Sequence, residues 1–115
     1  MPVISTSNNH NICFLSFEET KIVEQTTVDA IGEQLKSIAE STDEKKIIFD
    51  LLGVESMTSM VLGQFVKFRS TVGKRGIEVA FCNISPEITE LLKISRLDAL
   101  FKIFENREMA MYGFE

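Results

Sequence analysis

The residues best placed to do chemistry sit near the middle of the chain, in Val54-Glu55-Ser56-Met57-Thr58-Ser59-Met60-Val61-Leu62-Gly63. They follow a strongly apolar strand candidate, Lys46 to Leu52, and open a helix candidate that runs to about Val72. A hydroxyl at such a junction has two physical uses. It can cap the helix by accepting a hydrogen bond from one of the first free N–H groups. The same place also suits an anion, because those N–H groups and the helix dipole favour negative charge. A phosphate on Ser59 would therefore be tolerated locally while changing the charge of the surface around it. The plain alternative is that Ser59 serves only as the helix cap.

Other reactive side chains form no constellation. Asp50 interrupts the apolar strand near its end, where it is a satisfied structural group, a phosphoacceptor or a metal ligand. A phosphoacceptor pocket would need more acids at neighbouring strand ends, and only Glu18 and Glu19 come near, so the structural role is favoured. Cys13 and Cys82 lie far apart inside apolar runs, without metal or redox-pair spacing, and are expected as buried small hydrophobes in a reducing compartment. His10, the sole histidine, falls in a polar turn and would have to serve any Ser-His-acid triad from there. Gly73-Lys74-Arg75-Gly76 lacks the spacing of a phosphate-binding loop, and no Gly-x-Ser-x-Gly elbow surrounds Ser59. A regulatory or interaction module thus outweighs an enzyme, and no cofactor or metal is expected.

The 115 residues suffice for one domain, residues 1–115, and are too few for two ordinary ones. A formal net charge of −5 argues against nucleic acid and against anionic membrane surfaces as partners. No basic-then-apolar leader opens the chain and no apolar run approaches a membrane span, so a cytoplasmic location is expected.

The elements that would position Ser59 follow from periodicity. Pro2 to Ser5 and Ile12 to Phe17 are expected to form a hairpin around turn residues Ser7 to Asn11, followed by a loop at Glu18 to Lys21. Thr26-x-x-Asp29 has the form of a helix start, and Val28, Ile31, Leu35 and Ile38 continue at helical spacing to about Glu40. Lys46 to Leu52 and Ile77 to Cys82 have the composition of buried strands. Between them Val61, Phe65, Phe68 and Val72 form the apolar stripe of a helix that ends at Gly73. Ser85-Pro86-Glu87 marks another helix start. A helical turn at Leu97 to Leu100, a strand at Phe101 to Phe104 and a helix at Arg107 to Tyr112, with Met109 as its core anchor, complete the chain. The expected class is α/β: a mixed, mostly parallel sheet of four to five strands packed against about four helices.

This pattern resembles the STAS domain, in particular the bacterial anti-sigma-factor antagonists. The resemblance rests on Ile47-Ile48-Phe49-Asp50-Leu51, Val54 and Thr58-Ser59-Met60-Val61-Leu62-Gly63. It continues through Gly76, Val79-Ala80-Phe81-Cys82, Ile84-Ser85-Pro86-Glu87, Leu97 and Phe101-Lys102-Ile103-Phe104. It implies that Ser59 is phosphorylated by a serine kinase that is also the anti-sigma factor, and that a protein serine phosphatase reverses the step. The unphosphorylated form would bind the kinase and free the sigma factor. Glu24 matches the acid that the family keeps before its first helix, and Met57, Thr58, Met60, Leu62 and Gly63 complete the implied partner surface with Ser59. The sequence departs from the family pattern where Thr58 stands for its Asp and Val61 for its Gly, with Met60 after the serine. A constitutive scaffold without phosphorylation, or a small ligand-binding domain, are the alternative functions, and homodimerisation is left open.

Overall fold

The computed structural model describes residues 3–114. Strand β1 (Ile4–Asn9) pairs antiparallel with β2 (Ile12–Phe17). A two-residue ladder of β3 (Lys21–Ile22) and β5 (Ser56–Met57) brackets α1 (Gln25–Ser41) and β4 (Lys46–Asp50). Then come α2 (Ser59–Gly73), β6 (Glu78–Cys82), α3 (Pro86–Ile94), a 3-10 turn at Leu97–Ala99, β7 (Lys102–Phe104) and α4 (Arg107–Gly113). The main sheet has the order β1-β2-β4-β6-β7, parallel throughout except for β1. This is the expected class, with five strands in the main sheet and four α-helices.

Side chains alternate faces along a strand, and the strand residues divide accordingly. Cys13, Leu15, Ile47, Phe49, Val79 and Phe81 pack beneath α1, α2 and α3. Phe14, Ile48, Ala80 and Cys82 face the opposite way, against Ala110 and Phe114 at the C-terminal end. The two cysteines are free and on opposite faces of the sheet, so no disulfide joins them. Burial pushes the Cys82 thiol up to about 12, with the neighbouring Asp50 charge adding to the effect.

Phe49 is the centre of the larger core. Its ring stacks on Phe65 of α2 with centroids 4.2 Å apart, and Phe68, Phe81 and Phe17 surround it at 5.6, 5.5 and 6.4 Å. The helix that begins at Ser59 is thereby clamped to the central strand. Between α1 and α2, Gln64 Nε2 donates to the Val28 carbonyl at 3.0 Å. Gly32 permits this approach, because a Cβ there would lie 2.8 Å from the same Gln64 nitrogen.

Four local expectations are corrected. The hairpin turn is only His10-Asn11, with φ of 53° and 63°, as a tight two-residue connection requires. The polar residues Ser7 to Asn9 belong instead to an exposed edge strand, which needs no apolar face; Pro2 lies outside the described residues. Helix α1 starts earlier than Thr26-x-x-Asp29 implies: Glu24 is the N-cap residue without a side-chain cap, and Gln25 Nε2 bonds Asp29 Oδ1 at 2.8 Å. Lys21–Ile22, expected at the edge of a loop, is the strand β3. Finally, Met109 is exposed, because the Asn106 cap sets α4 in a rotation that turns Ala110 and Phe114 inward.

Candidate functional site

The junction before α2 is fixed from three sides. Leu51 N–H donates to the Cys82 carbonyl at 3.1 Å, and Gly53, at φ 86°, turns the chain out of β4. Glu55 N–H donates to the Thr20 carbonyl at 2.7 Å, and Ser85 Oγ donates to the Glu55 carbonyl at 3.0 Å. Thr58 N–H then extends the β3–β5 ladder by donating to the Ile22 carbonyl at 3.2 Å. Ile22 precedes Glu24 by two residues, so the ladder ties the entry of α1 to the entry of α2.

Thr58, not Ser59, is the helix cap. Its backbone is extended, with φ −84° and ψ 161°, and its Oγ1 accepts from Val61 N–H. Ser59 is the first helical residue and is exposed, and among the described residues no hydrogen bond engages its hydroxyl. The first turn of α2 carries no acid, so the positive end of the helix dipole is not neutralised from within its own turn.

The expected surface residues separate into two groups. Glu24, Ser59, Met60 and Gly63 are exposed, and Thr58 is half-buried by its capping role. Met57 and Leu62 are 7% and 2% exposed, because their side chains enter the core. Burial removes those two side chains from the set that can touch a partner. Val23, 53% exposed, and Met60, 56% exposed, add apolar surface at the two helix entries. Sequence reasoning passed over Val23 because an apolar residue before a helix is ordinarily assigned inward.

Residues 4–110 match the family model described as the STAS domain. The chain belongs to that family. A STAS-domain containing protein of Pseudomonas aeruginosa is 30% identical over 59 residues, which cover 51% of this chain and 58% of that one. The chain thus matches little more than half the length of that relative. An anti-sigma F factor antagonist of Paenibacillus polymyxa is 25% identical over 89 residues, covering 77% of this chain and 76% of the other. The solved structure of an anti-sigma-factor antagonist (STAS) domain protein from Planctomyces limnophilus superposes with a TM-score of 0.88 at 19% identity. It covers 100% of this chain and 99% of its own, a likeness that speaks for the fold. Among the described residues, no helix of this STAS domain is long and apolar enough to cross a membrane.

Asp50, which precedes the junction, is a satisfied structural group in this STAS domain. Its Oδ1 accepts from Leu52 N–H at 3.1 Å and Asn83 Nδ2 at 2.9 Å, and its Oδ2 is ion-paired with Arg107 Nε. The Arg107 guanidinium also lies 4.5 Å from the Phe14 ring centroid, which pins α4 to the second face of the sheet. Burial alone would raise the Asp50 pKa; the bonds from Asn83, Arg107 and Leu52 outweigh it and hold the carboxyl below its ordinary 3.8. A depressed carboxyl stabilises the fold fully above the unfolded value and loses that contribution as pH falls through the folded one. Asp50→Asn is therefore expected to cost about 1–2 kcal/mol at pH 7, discounted because Arg107 is 38% exposed. Urea unfolding at pH 7 and pH 3 checks this: the gap between wild type and variant should narrow at the lower pH. Parallel pH profiles would remove Asp50 from the acid sensitivity of the fold.

Proposed function

We propose that this STAS domain is a cytoplasmic, non-enzymatic anti-sigma-factor antagonist that switches partners through Ser59. Its unphosphorylated form binds an anti-sigma factor that is also a serine kinase, which frees the sigma factor. Phosphorylation of Ser59 breaks that complex, and a protein serine phosphatase restores it. The observation that carries this reading is the division of labour at the helix start. Thr58 caps α2, leaving the Ser59 hydroxyl exposed and unbonded among the described residues. The name of the Paenibacillus relative supports the same reading.

The contact surface in this proposal is Glu24, Ser59, Met60 and Gly63, with Val23 beside them and Thr58 at the edge. A phosphate brings about −1.5 to −2 charges. At the first position of a helix it meets free N–H groups, so the fold accepts it. At an interface containing Val23 and Met60 the same charge must be desolvated without a built-in counter-charge, so the complex does not. A constitutive scaffold is the second reading, favoured by Thr58 in place of the family's acid and by Val61 in place of its glycine.

Intact-mass measurement on protein from its native host, before and after phosphatase, tests the switch. The expected result is an excess of about 80 Da, one phosphoryl group of the kind described for regulatory serines, that maps to Ser59 and disappears on treatment. Ser59→Ala should lack it and stay bound to the kinase. Absence of the excess in every growth condition would favour the scaffold.

A further inference from the structure

The main sheet ends in two edge strands, β1 and β7, and they are protected unequally. Strand β7 spans three residues and carries Lys102. Short length and a lysine are common guards against pairing with another chain. Strand β1 has six residues without charge, proline or bulge, and all but Ile4 are exposed.

The main chain of β1 has free groups at defined places. The two-residue turn makes Asn9–Ile12 a hydrogen-bonded pair, and such pairs alternate along an antiparallel ladder. Ser7–Phe14 and Ser5–Ser16 are the next ones, so Ile4, Thr6 and Asn8 direct their N–H and C=O groups away from β2. Gln34 on α1 covers the first of these positions: its Oε1 accepts from Val3 and Ile4 N–H at 3.1 and 2.9 Å. Among the described residues, nothing bonds the main chain of Thr6 or Asn8 on that side.

We infer that β1 pairs antiparallel with β1 of a second copy of this chain, across a two-fold axis at Ser7. Thr6 then faces the second copy's Asn8, and Asn8 its Thr6, each pair exchanging both N–H···O bonds. This register uses only free groups. Setting Thr6 against Thr6 would instead call on Ile4 N–H, which Gln34 already holds. Ser7 meets Ser7 at the centre, and such polar side chains bond across a strand pair. Charge argues for a copy as the occupant. All 12 Lys and Arg and all 17 Asp and Glu follow Phe17, so two chains of net charge −5 meet here with least repulsion. Arg107, which reaches Ser7 Oγ at 3.3 Å, is balanced by Asp50. Two five-stranded sheets would become one continuous sheet. Strand β2 lies between β1 and the β4 strand that leads to Ser59, so the pairing does not rest on the switch reading.

Sedimentation equilibrium of the full chain, from micromolar to millimolar concentration, tests the pairing together with amide hydrogen exchange. The average mass should rise from one chain toward two, and exchange at Thr6 and Asn8 should slow at least tenfold across that range. Thr6→Lys/Asn8→Lys sets like charges opposite each other and should hold the protein at one chain. Thr6→Lys/Asn8→Glu sets opposite charges in the same register and should restore association. Both positions are exposed, and the exchange measurement on wild type stands even if a variant fails to fold. A mass of one chain at every concentration would overturn the pairing. So would association that survives Thr6→Lys/Asn8→Lys, or that Thr6→Lys/Asn8→Glu fails to restore.

Discussion

Ser59→Asp is expected to weaken the complex with the kinase about 100-fold, roughly 2.7 kcal/mol, without destabilising the fold. The two halves of that expectation have different physical sources. Within the domain, a carboxylate at the first position of α2 meets the positive end of the helix dipole, in a turn that Thr58 caps but that holds no acid of its own. Such a charge stabilises a helix by about 0.3–1 kcal/mol, so the melting temperature should hold or rise slightly. Across the interface, the carboxylate enters a surface that includes the exposed apolar side chains of Val23 and Met60. Removing it from water there without a partner cation is costly. Ser59→Ala should bind like wild type, since Thr58 continues to cap the helix. Calorimetric titration of the three proteins into the kinase decides the matter. If Ser59→Asp binds as tightly as Ser59→Ala, the switch is wrong; if its melting temperature falls by several degrees, lost affinity would instead reflect damage to α2.

The distinction between Thr58 and Ser59 also shows where sequence reading stops. Both hydroxyls fit the spacing of a cap, and nothing in the residue types chooses between them. The choice is made by the ladder: because Thr58 N–H bonds the Ile22 carbonyl, residue 58 is held extended and the helix must begin at 59. That bond links segments on either side of α1 and β4, beyond the reach of local pattern. Elsewhere local pattern sufficed. Val61, Phe65, Phe68 and Val72 recur on one face and all are buried, and Ser85 before Pro86 caps α3 by accepting from Ile88 N–H at 3.1 Å. It misled where burial was the wrong guide: β1 is polar because it is an exposed edge, and Met109 points outward because Asn106 sets the phase of α4. The structural role of Asp50 could be favoured, but its partner Arg107 is 57 residues away and carries no local signal.

Phe49→Ala should have the largest effect on stability, about 3–5 kcal/mol, because its ring is the contact between the central strand and α2. The aromatic side chain is fully buried, stacked on Phe65 and adjoined by Phe17, Phe68 and Phe81. Truncation removes its transfer free energy and leaves a cavity between two rigid elements. Backbone hydrogen bonds hold β4 in register with β2 and β6, so the strand cannot move far to fill it. A domain of this kind has about 5–15 kcal/mol in total, so the variant should be close to the limit of folding at 37 °C. With a urea slope of about 1–3 kcal/mol/M, the unfolding midpoint should fall by about 2 M. Phe49→Leu, which keeps part of the volume, should retain much of what is lost. A drop below 1 kcal/mol for Phe49→Ala would mean that α2 is held mainly by its other contacts, the Gln64–Val28 bond and Val61 and Val72 among them. The comparison with Ser59→Asp is then informative about mechanism. One substitution lies at the base of α2 and the other at its exposed start, so stability and partner binding should separate cleanly between them.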